Sequence, residues 1–264
     1  MYMAHGVMFL GTGNAFLPHG RNHSLAILDR KHLIDAPPTA LSSMRKYGIS
    51  PADLETIIFT HMHGDHIFGL PFILLERKYI SDREGLKNLK IICNKSARPV
   101  LENICRIAYP GSLDDMFEKI EFCYDNQGSF SEWKYTRFPV KHNDAVDPHG
   151  YKFTTPNGGI LIHSGDSGPC DSLYENIEDD CLFILEMGVP EWVPSEEHHK
   201  PSHITSISEK HPNVKFAITH TFVDMDSAYP ETVTSILPEH PENVIHSEDG
   251  DSWEFKDFWR KNIY

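Results

Sequence analysis

Six consecutive residues, His61-Met62-His63-Gly64-Asp65-His66, constrain this chain more than any other part of it. With 17 histidines in 264 residues, a His-x-His-x-Asp-His pattern is expected by chance only about 0.005 times in a chain of this composition. The spacing has a physical use. In an extended segment residues two apart point the same way, so His61 and His63 can grip one cation together. Gly64 lets the chain turn tightly, after which Asp65 and His66 can face a second cation. Two-metal sites place their ions about 3.5–4 Å apart, and each Zn²⁺ takes about four N, O or S ligands, with one position open to water in a catalytic site. The hexapeptide cannot fill two such shells, so further ligands must come from elsewhere in the chain.

Composition sets the class of protein that carries the cluster. A chain of 264 residues, 40% of them hydrophobic, can bury the core of one α/β unit, and a single domain over residues 1–264 is expected. No run approaches the roughly 20 apolar residues of a membrane-spanning helix, so no membrane partner is expected. Met1-Tyr2-Met3-Ala4-His5-Gly6 has no cationic stretch leading into an apolar one, which argues against a secretory leader. The five cysteines (Cys93, Cys105, Cys123, Cys170, Cys181) are odd in number and form no Cys-x-x-Cys pair. That is the pattern of reduced, mostly buried thiols in a cytoplasmic protein. The formal charge is −14, without a run of Lys and Arg. Affinity for a large polyanion comes chiefly from neutralised phosphates, so nucleic acid is a disfavoured partner. Cations and a local patch could still hold a small phosphate ester.

Strand and helix signals alternate along the chain. Residues 7–10 form a short apolar run stopped by Gly11-Thr12-Gly13-Asn14. Residues 25–28 and 32–35 read as a hairpin turning at Asp29-Arg30-Lys31. Residues 39–47 place Leu41, Met44 and Tyr47 on one helical face, and Gly48 stops the helix. Thr56-Ile57-Ile58-Phe59 reads as a buried strand with the histidine cluster at its C-terminal end, where α/β sheets put their sites. Residues 67–79 read as a helix with Pro71 near its start, and residues 90–93 as a strand. Residues 105–121 are not legible. Two more apolar strands are expected at 182–185 and 216–219, with a helix over 202–210 capped by Ser202 between them. The recurrence in both halves predicts two packed sheets with helices outside.

Three places can supply the missing ligands. His142 follows the apolar strand end at Val140. Asp166 sits in the glycine-flanked turn Gly165-Asp166-Ser167-Gly168, after Ile160-Leu161-Ile162. His220 directly follows the run that ends at Thr219. Taken alone each would more often be a cap or a surface residue, but each lies at the end of a strand-like run.

With these residues in place, the sequence resembles the metallo-β-lactamase superfamily and, within it, the ribonuclease Z branch. Leu10-Gly11-Thr12-Gly13-Asn14-Ala15 with Arg21-Asn22 is similar to that branch's opening glycine motif, and His61, His63, Asp65 and His66 match the superfamily signature. The resemblance implies a four-layer αββα sandwich and a hydrolase with two divalent ions, Zn²⁺ first and Mn²⁺ or Fe as alternatives. His142 would complete the first metal with His61 and His63. His220 would complete the second with Asp65 and His66, and Asp166 would bridge both. Glu186 and His203 resemble the branch's catalytic pair. On that reading a hydroxide generated between the ions attacks, Asp65 orients it, and His203 protonates the leaving oxygen while Glu186 holds its tautomer. His198 and His199 stand close enough in sequence to compete for the His203 role.

One departure matters. The resemblance implies a long tRNA-gripping arm between the counterparts of His142 and Asp166, but these residues are only 24 positions apart (166 − 142). The intervening Thr155-Pro156-Asn157-Gly158-Gly159 signals a hairpin turn instead, and Thr221-Phe222-Val223-Asp224 is acidic for a surface beside RNA. The expected function is therefore hydrolysis of a small phosphodiester. The alternatives are a tRNA 3′-processing endonuclease that uses another surface, such as the basic residues within 77–90, a carboxyl-ester or lactone hydrolase, and a non-catalytic metal-binding protein. The expected partner is a small-molecule ester, and a homodimer is compatible with the sequence.

Overall fold

Short apolar runs without polar alternation need cover on both faces, and the strands of this chain have it. The computed structural model describes residues 5–84, 87–224 and 237–262; the segment before His5, on which much of the leader argument rests, lies outside them. In chain order the strands are β1 (His5–Gly11), β2 (Leu25–Leu28), β3 (His32–Ile34), β4 (Thr56–Ile58), β5 (Leu89–Ile92), β6 (Ile120–Cys123), β7 (Gln127–Phe130), β8 (Trp133–Pro139), β9 (His149–Thr154), β10 (Ile160–His163), β11 (Leu182–Glu186), β12 (Lys215–Thr219), β13 (Val244–His246), β14 (Ser252–Phe255) and β15 (Trp259–Lys261). Among the described residues they form two sheets, ordered β15-β14-β1-β2-β3-β4-β5-β6 and β13-β12-β11-β10-β9-β8-β7. Pairing is parallel along β3, β4, β5 and β6 and again along β10, β11, β12 and β13, and antiparallel elsewhere.

The helices are α1 (Ala40–Lys46), α2 (Gly64–Ile67), α3 (Leu70–Glu76), α4 (Ala97–Ala108), α5 (Met116–Lys119), α6 (Asp171–Tyr174) and α7 (Pro201–Lys210). Three apolar clusters show how the layers stack. On β4, Ile58 faces the core between the sheets, with Phe9, Trp133, Tyr151 and Ile184. Its neighbours Ile57 and Phe59 face the opposite way, against Met44, Leu70 and Leu74 of α1 and α3. On β11, Phe183 and Leu185 pack outward against Ile204 of α7 and Leu173 of α6. The result is helix, sheet, sheet, helix: the expected αββα sandwich. Among the described residues no helix is long and apolar enough to cross a membrane.

Several local expectations hold in detail. The β2–β3 hairpin turns through Asp29 and Arg30 at φ 48° and 58°, and α1 ends at Gly48, φ +63°. The cysteines are free, with Cys93, Cys105 and Cys181 buried and Cys123 and Cys170 half-buried. Two expectations need correction. The single helix over 67–79 is broken into α2 and α3, followed by a wide π-type turn over Arg77–Ser81, because Gly69 and Pro71 interrupt it. The helix near 202 begins at Pro201, whose fixed φ suits a first helical position. Ser202 is therefore not its cap, and its hydroxyl donates to Glu191 instead (2.7 Å). The region that was illegible contains the end of α4, α5 and the start of β6.

Gly69 marks the closest approach of helix to sheet. Its N–H donates to the Ala36 carbonyl (2.7 Å), and a Cβ there would stand 2.0 Å from the Pro37 carbonyl oxygen. Gly69→Ala must push α3 away from the chain that leaves β3. A loss of about 1–3 kcal/mol is expected from such overpacking, measured as a fall in the urea midpoint; an unchanged midpoint would show that this junction yields freely.

Candidate active site

The C-terminal ends of β3, β4, β10, β11 and β12, and the exit of β8, gather at one edge of the sandwich. β4 delivers His61 and His63, and α2 turns Asp65 and His66 back toward them. His142 follows β8, Asp166 lies just beyond Gly165 (φ +60°) after β10, and His220 leaves β12 at φ 46°. The structure brings all seven expected residues together. Ligand atoms of His61, His63, His142 and Asp166 lie within 4.8 Å of one another, as do those of Asp65, His66, Asp166 and His220. Asp166 belongs to both groups.

Their hydrogen bonds show what the groups can hold. Thr60 Oγ1 donates to Asp35 (2.9 Å) and so accepts from His61 Nδ1 (3.0 Å). The neutral His61 ring therefore turns a lone pair at Nε2 toward Asp166 Oδ2, 3.7 Å away. His142 Nδ1 donates to the Glu197 carbonyl (3.0 Å), which leaves the Nε2 lone pair facing His63 Nδ1 at 3.1 Å. His66 Nδ1 donates to Asp35 (2.8 Å), and its buried Nε2 has no hydrogen-bond partner. Imidazole nitrogens crowded against carboxylate oxygens need positive charge among them, from protons on the rings or from a bound cation. Second partners that fix the tautomer of each imidazole are the usual support of metal-binding histidines. The donor set fits a dinuclear centre of N and O ligands.

The electrostatics agree. Burial pushes His61 well below the usual imidazole range and, less strongly, His63 as well. Burial acts the same way on His66, but Asp166, Asp65 and Asp35 overcome it and hold that ring well above its ordinary value. Asp166 is buried and Asp65 half-buried, which alone would raise them, yet the surrounding histidines hold both below the carboxylate range. The centre concentrates carboxylate charge among imidazoles, an environment compatible with bound cations.

The expected catalytic pair is assembled differently. Glu186, fully buried, accepts at Oε1 from His198 Nδ1 (2.9 Å), the Ser167 N–H (3.1 Å) and the His199 N–H (3.2 Å), and at Oε2 from the Gly188 N–H. None of these donors is His203. That residue lies in the first turn of α7, where its Nδ1 accepts from the Lys200 N–H (3.3 Å). The partner of Glu186 is His198, whose ring stacks on His220 (5.8 Å between centroids, 9° between planes) and meets His142 edge-on at 4.9 Å. Burial opposes a charge on His198, but Glu186 pushes it up to about 9.

Three residues take supporting roles that the sequence does not assign them: Asp35, which it leaves unmarked, and Arg21 and His199, which it marks only by resemblance and by position. Asp35 ends a hydrophobic strand in the left-handed region (φ 67°), accepts the Thr60 N–H (2.8 Å) and holds Thr60 and His66. A carboxylate closing an otherwise apolar strand was the available signal. Arg21, from the glycine-motif segment, is buried and donates to Thr12 Oγ1 (2.7 Å) and to the carbonyls of Val223 (2.9 Å) and Ser247 (2.8 Å). It braces the chain leaving His220. His199 is the third, and nothing in its spacing separates it from His198.

Comparison with known proteins places this geometry among relatives. A family model described as Anti-Pycsar protein Apyc1 matches residues 5–210. Ribonuclease Z of Pyrobaculum calidifontis is 25% identical, with 75% of this chain and 78% of that protein covered. Anti-Pycsar protein Apyc1 of Paenibacillus sp. is 32% identical over 123 residues, 44% of this chain and 49% of that protein. Among solved structures, the metallo-beta-lactamase fold protein YhfI from Bacillus subtilis superposes with a TM-score of 0.73 at 16% identity, covering 96% of this chain and 100% of that one. Human tRNase Z, short form, superposes with a TM-score of 0.70 at 18% identity, covering 94% and 98%. The fold is thus that of the metallo-β-lactamase hydrolases, and the sequence relatives are ribonuclease Z-like.

Because Asp166 is shared by both groups, its loss should empty both. Protein purified without chelator is expected to carry about two divalent ions per chain, and Asp166→Ala to lose most of both, read by elemental analysis. An Asp166→Ala protein that retained both equivalents and normal turnover would reduce the Gly165-Asp166 turn to a structural feature.

Proposed function

The chain belongs to the Anti-Pycsar protein Apyc1 family, and on that premise we propose that it is a metal-dependent phosphodiesterase acting on a compact phosphodiester. The observation that carries this reading is the Glu186–His198 pair standing against His142 and His220. Hydrolysis of a diester expels an alkoxide, a poor leaving group that needs a proton delivered as the bond breaks. Glu186 favours the protonated form of His198, and the ring borders His142 and His220, one from each group of candidate ligands. Divalent ions at the centre, Zn²⁺ by its donor set with Mn²⁺ or Fe as alternatives, would supply Lewis acidity toward the phosphoryl oxygens and acidify the attacking water. His61, His63, Asp65, His66, His142, Asp166 and His220 would hold them, and Asp65 would also orient the water. Glu186 orients the His198 ring with Nδ1–H inward, leaving Nε2–H for the leaving oxygen.

Substrate size is argued from what lies between His142 and Asp166. The β9–β10 hairpin closes there through Thr155 and Gly159 (2.9 Å), in the interval where the ribonuclease Z resemblance implies a tRNA-gripping arm. The −14 charge of the chain opposes a long polyanion. The half-exposed Phe68 ring packs over Gly64 and offers apolar contact to the organic part of a small ester. Ribonuclease Z relatives favour the second reading, a tRNA 3′-processing endonuclease. The basic stretch within 77–90 gives that reading little support. Arg77 is buried against Asp82 and Lys78 is bonded to Asp115 (2.5 Å), while residues 85–86 lie outside the described structure.

Two measurements test these assignments. Against a panel of small diesters, cyclic nucleotides, carboxyl esters, lactones and pre-tRNA, kcat/KM is expected to be highest for a small phosphodiester, even at low salt, where RNA binding is strongest. Efficient single-site cutting of pre-tRNA would overturn the size argument. His198→Ala is expected to keep its metals and slow an unactivated diester about 10²–10⁴-fold, with a smaller loss for a nitrophenyl ester; His203→Ala should lose little. The reverse ranking of the two variants would restore His203 as the donor.

A further inference from the structure

His199 stands near the centre without belonging to a candidate ligand group, yet it is completely buried. An imidazole is rarely enclosed without a purpose, because its polar atoms must be paired. Here both are. The Ser167 carbonyl can only accept, so His199 Nδ1 carries the proton and donates to it at 2.5 Å. Burial pushes the ring down to about 4, so it is neutral and its Nε2 is an acceptor. Tyr174 Oη–H at the end of α6 donates to it at 2.8 Å, and burial raises the Tyr174 hydroxyl above its ordinary value, which keeps that proton in place. The His199 backbone N–H donates to Glu186 Oε1 (3.2 Å), the same oxygen that takes the His198 proton (2.9 Å).

One residue thus ties three parts of the site together. Through its ring it joins α6 to the turn that carries Asp166. Through its main chain it joins the Glu186 carboxylate to the loop that carries His198. That loop also presses on the turn directly, since a Cβ at Gly168 would stand 1.8 Å from the Glu196 carbonyl oxygen.

We propose that His199, oriented by Tyr174, is a positioning residue that fixes the His198 imidazole relative to the Asp166 turn, so that proton delivery and the metal centre share one geometry. The proposal rests on the reading of His198 as the proton donor. A free loop would leave the His198 ring able to swing from its stack on His220. The Tyr174–His199–Ser167 relay removes that freedom without placing another charge beside the centre.

The test uses metal-loaded full-length protein and two substrates, bis(4-nitrophenyl) phosphate and diphenyl phosphate, whose leaving groups differ in their need for a proton. His199→Ala is expected to keep both metals and its KM while kcat for diphenyl phosphate falls about 10–100-fold, the usual cost of losing a second-layer partner. The loss on the nitrophenyl substrate should be much smaller. His199→Asn, whose amide N–H can still reach the Ser167 carbonyl, should recover most of the rate. Should His199→Ala fail to fold, Tyr174→Phe decides, since it removes one oxygen and should give a weaker loss with the same leaving-group dependence. Equal losses on both substrates in the variant that decides, or loss of metal, would make His199 a packing residue and overturn the proposal. His198→Ala run alongside separates the two ideas. If its own loss ignores the leaving group, the donor assignment falls and the proposal with it; if only the His199 and Tyr174 variants ignore it, the donor stands and the clamp does not.

Discussion

The Asp166 carboxylate sits almost out of reach of solvent, with the Nε2 atoms of His220, His66 and His61 at 3.2, 3.4 and 3.7 Å from one of its oxygens. A buried carboxylate is tolerated only when positive charge is supplied beside it. No lysine or arginine is bonded to it among the described residues, and a hydrogen-bonded Asp35 holds the opposite nitrogen of His66. The positive charge must therefore come from protons shared among imidazoles or from cations that the imidazoles bind. The architecture around Asp166 serves the second option. Strand ends of both sheets meet at one edge, where the segment after β4 contributes four of the seven groups and the exits of β8, β10 and β12 one each.

Burial explains what the sequence disclosed. β4 and β11 are apolar but for Thr56 and Glu186 at their ends, because helices cover one face and the opposite sheet the other, so their strand character and their place inside the molecule could both be read directly. The candidate ligands at the ends of such strands were legible for the same reason. A polar residue that ends an apolar run has reached the sheet edge. Where the chain leaves that edge by a loop, sequence order stops reporting position. Between Glu186 and α7 the loop folds back over Gly168, so His198, five residues earlier than His203, reaches Glu186, while His203 faces its own helix start. Asp35 was overlooked because its partners, Thr60 and His66, lie 25 and 31 positions away. The break between α2 and α3 depends on Gly69 meeting the Pro37 carbonyl, a tertiary contact that helical periodicity does not encode.

The same arrangement would reconcile an acidic chain with the anionic substrate proposed for it. A net charge of −14 acts over distances that salt screens within about 10 Å, whereas ions held in the centre would act on a phosphoryl group in direct contact. A compact diester gains the short-range attraction and feels little of the long-range repulsion. A folded RNA would feel both, and the β9–β10 hairpin stands where the ribonuclease Z resemblance would put an arm.

Anomalous diffraction from crystals of the metal-loaded protein, collected on both sides of the absorption edge of the bound metal, tests the central claim most directly. The account predicts two peaks about 3.5–4 Å apart with the Asp166 carboxylate between them, His61, His63 and His142 around one, and Asp65, His66 and His220 around the other. A single peak, or two peaks of which one lies away from Asp166, would contradict it.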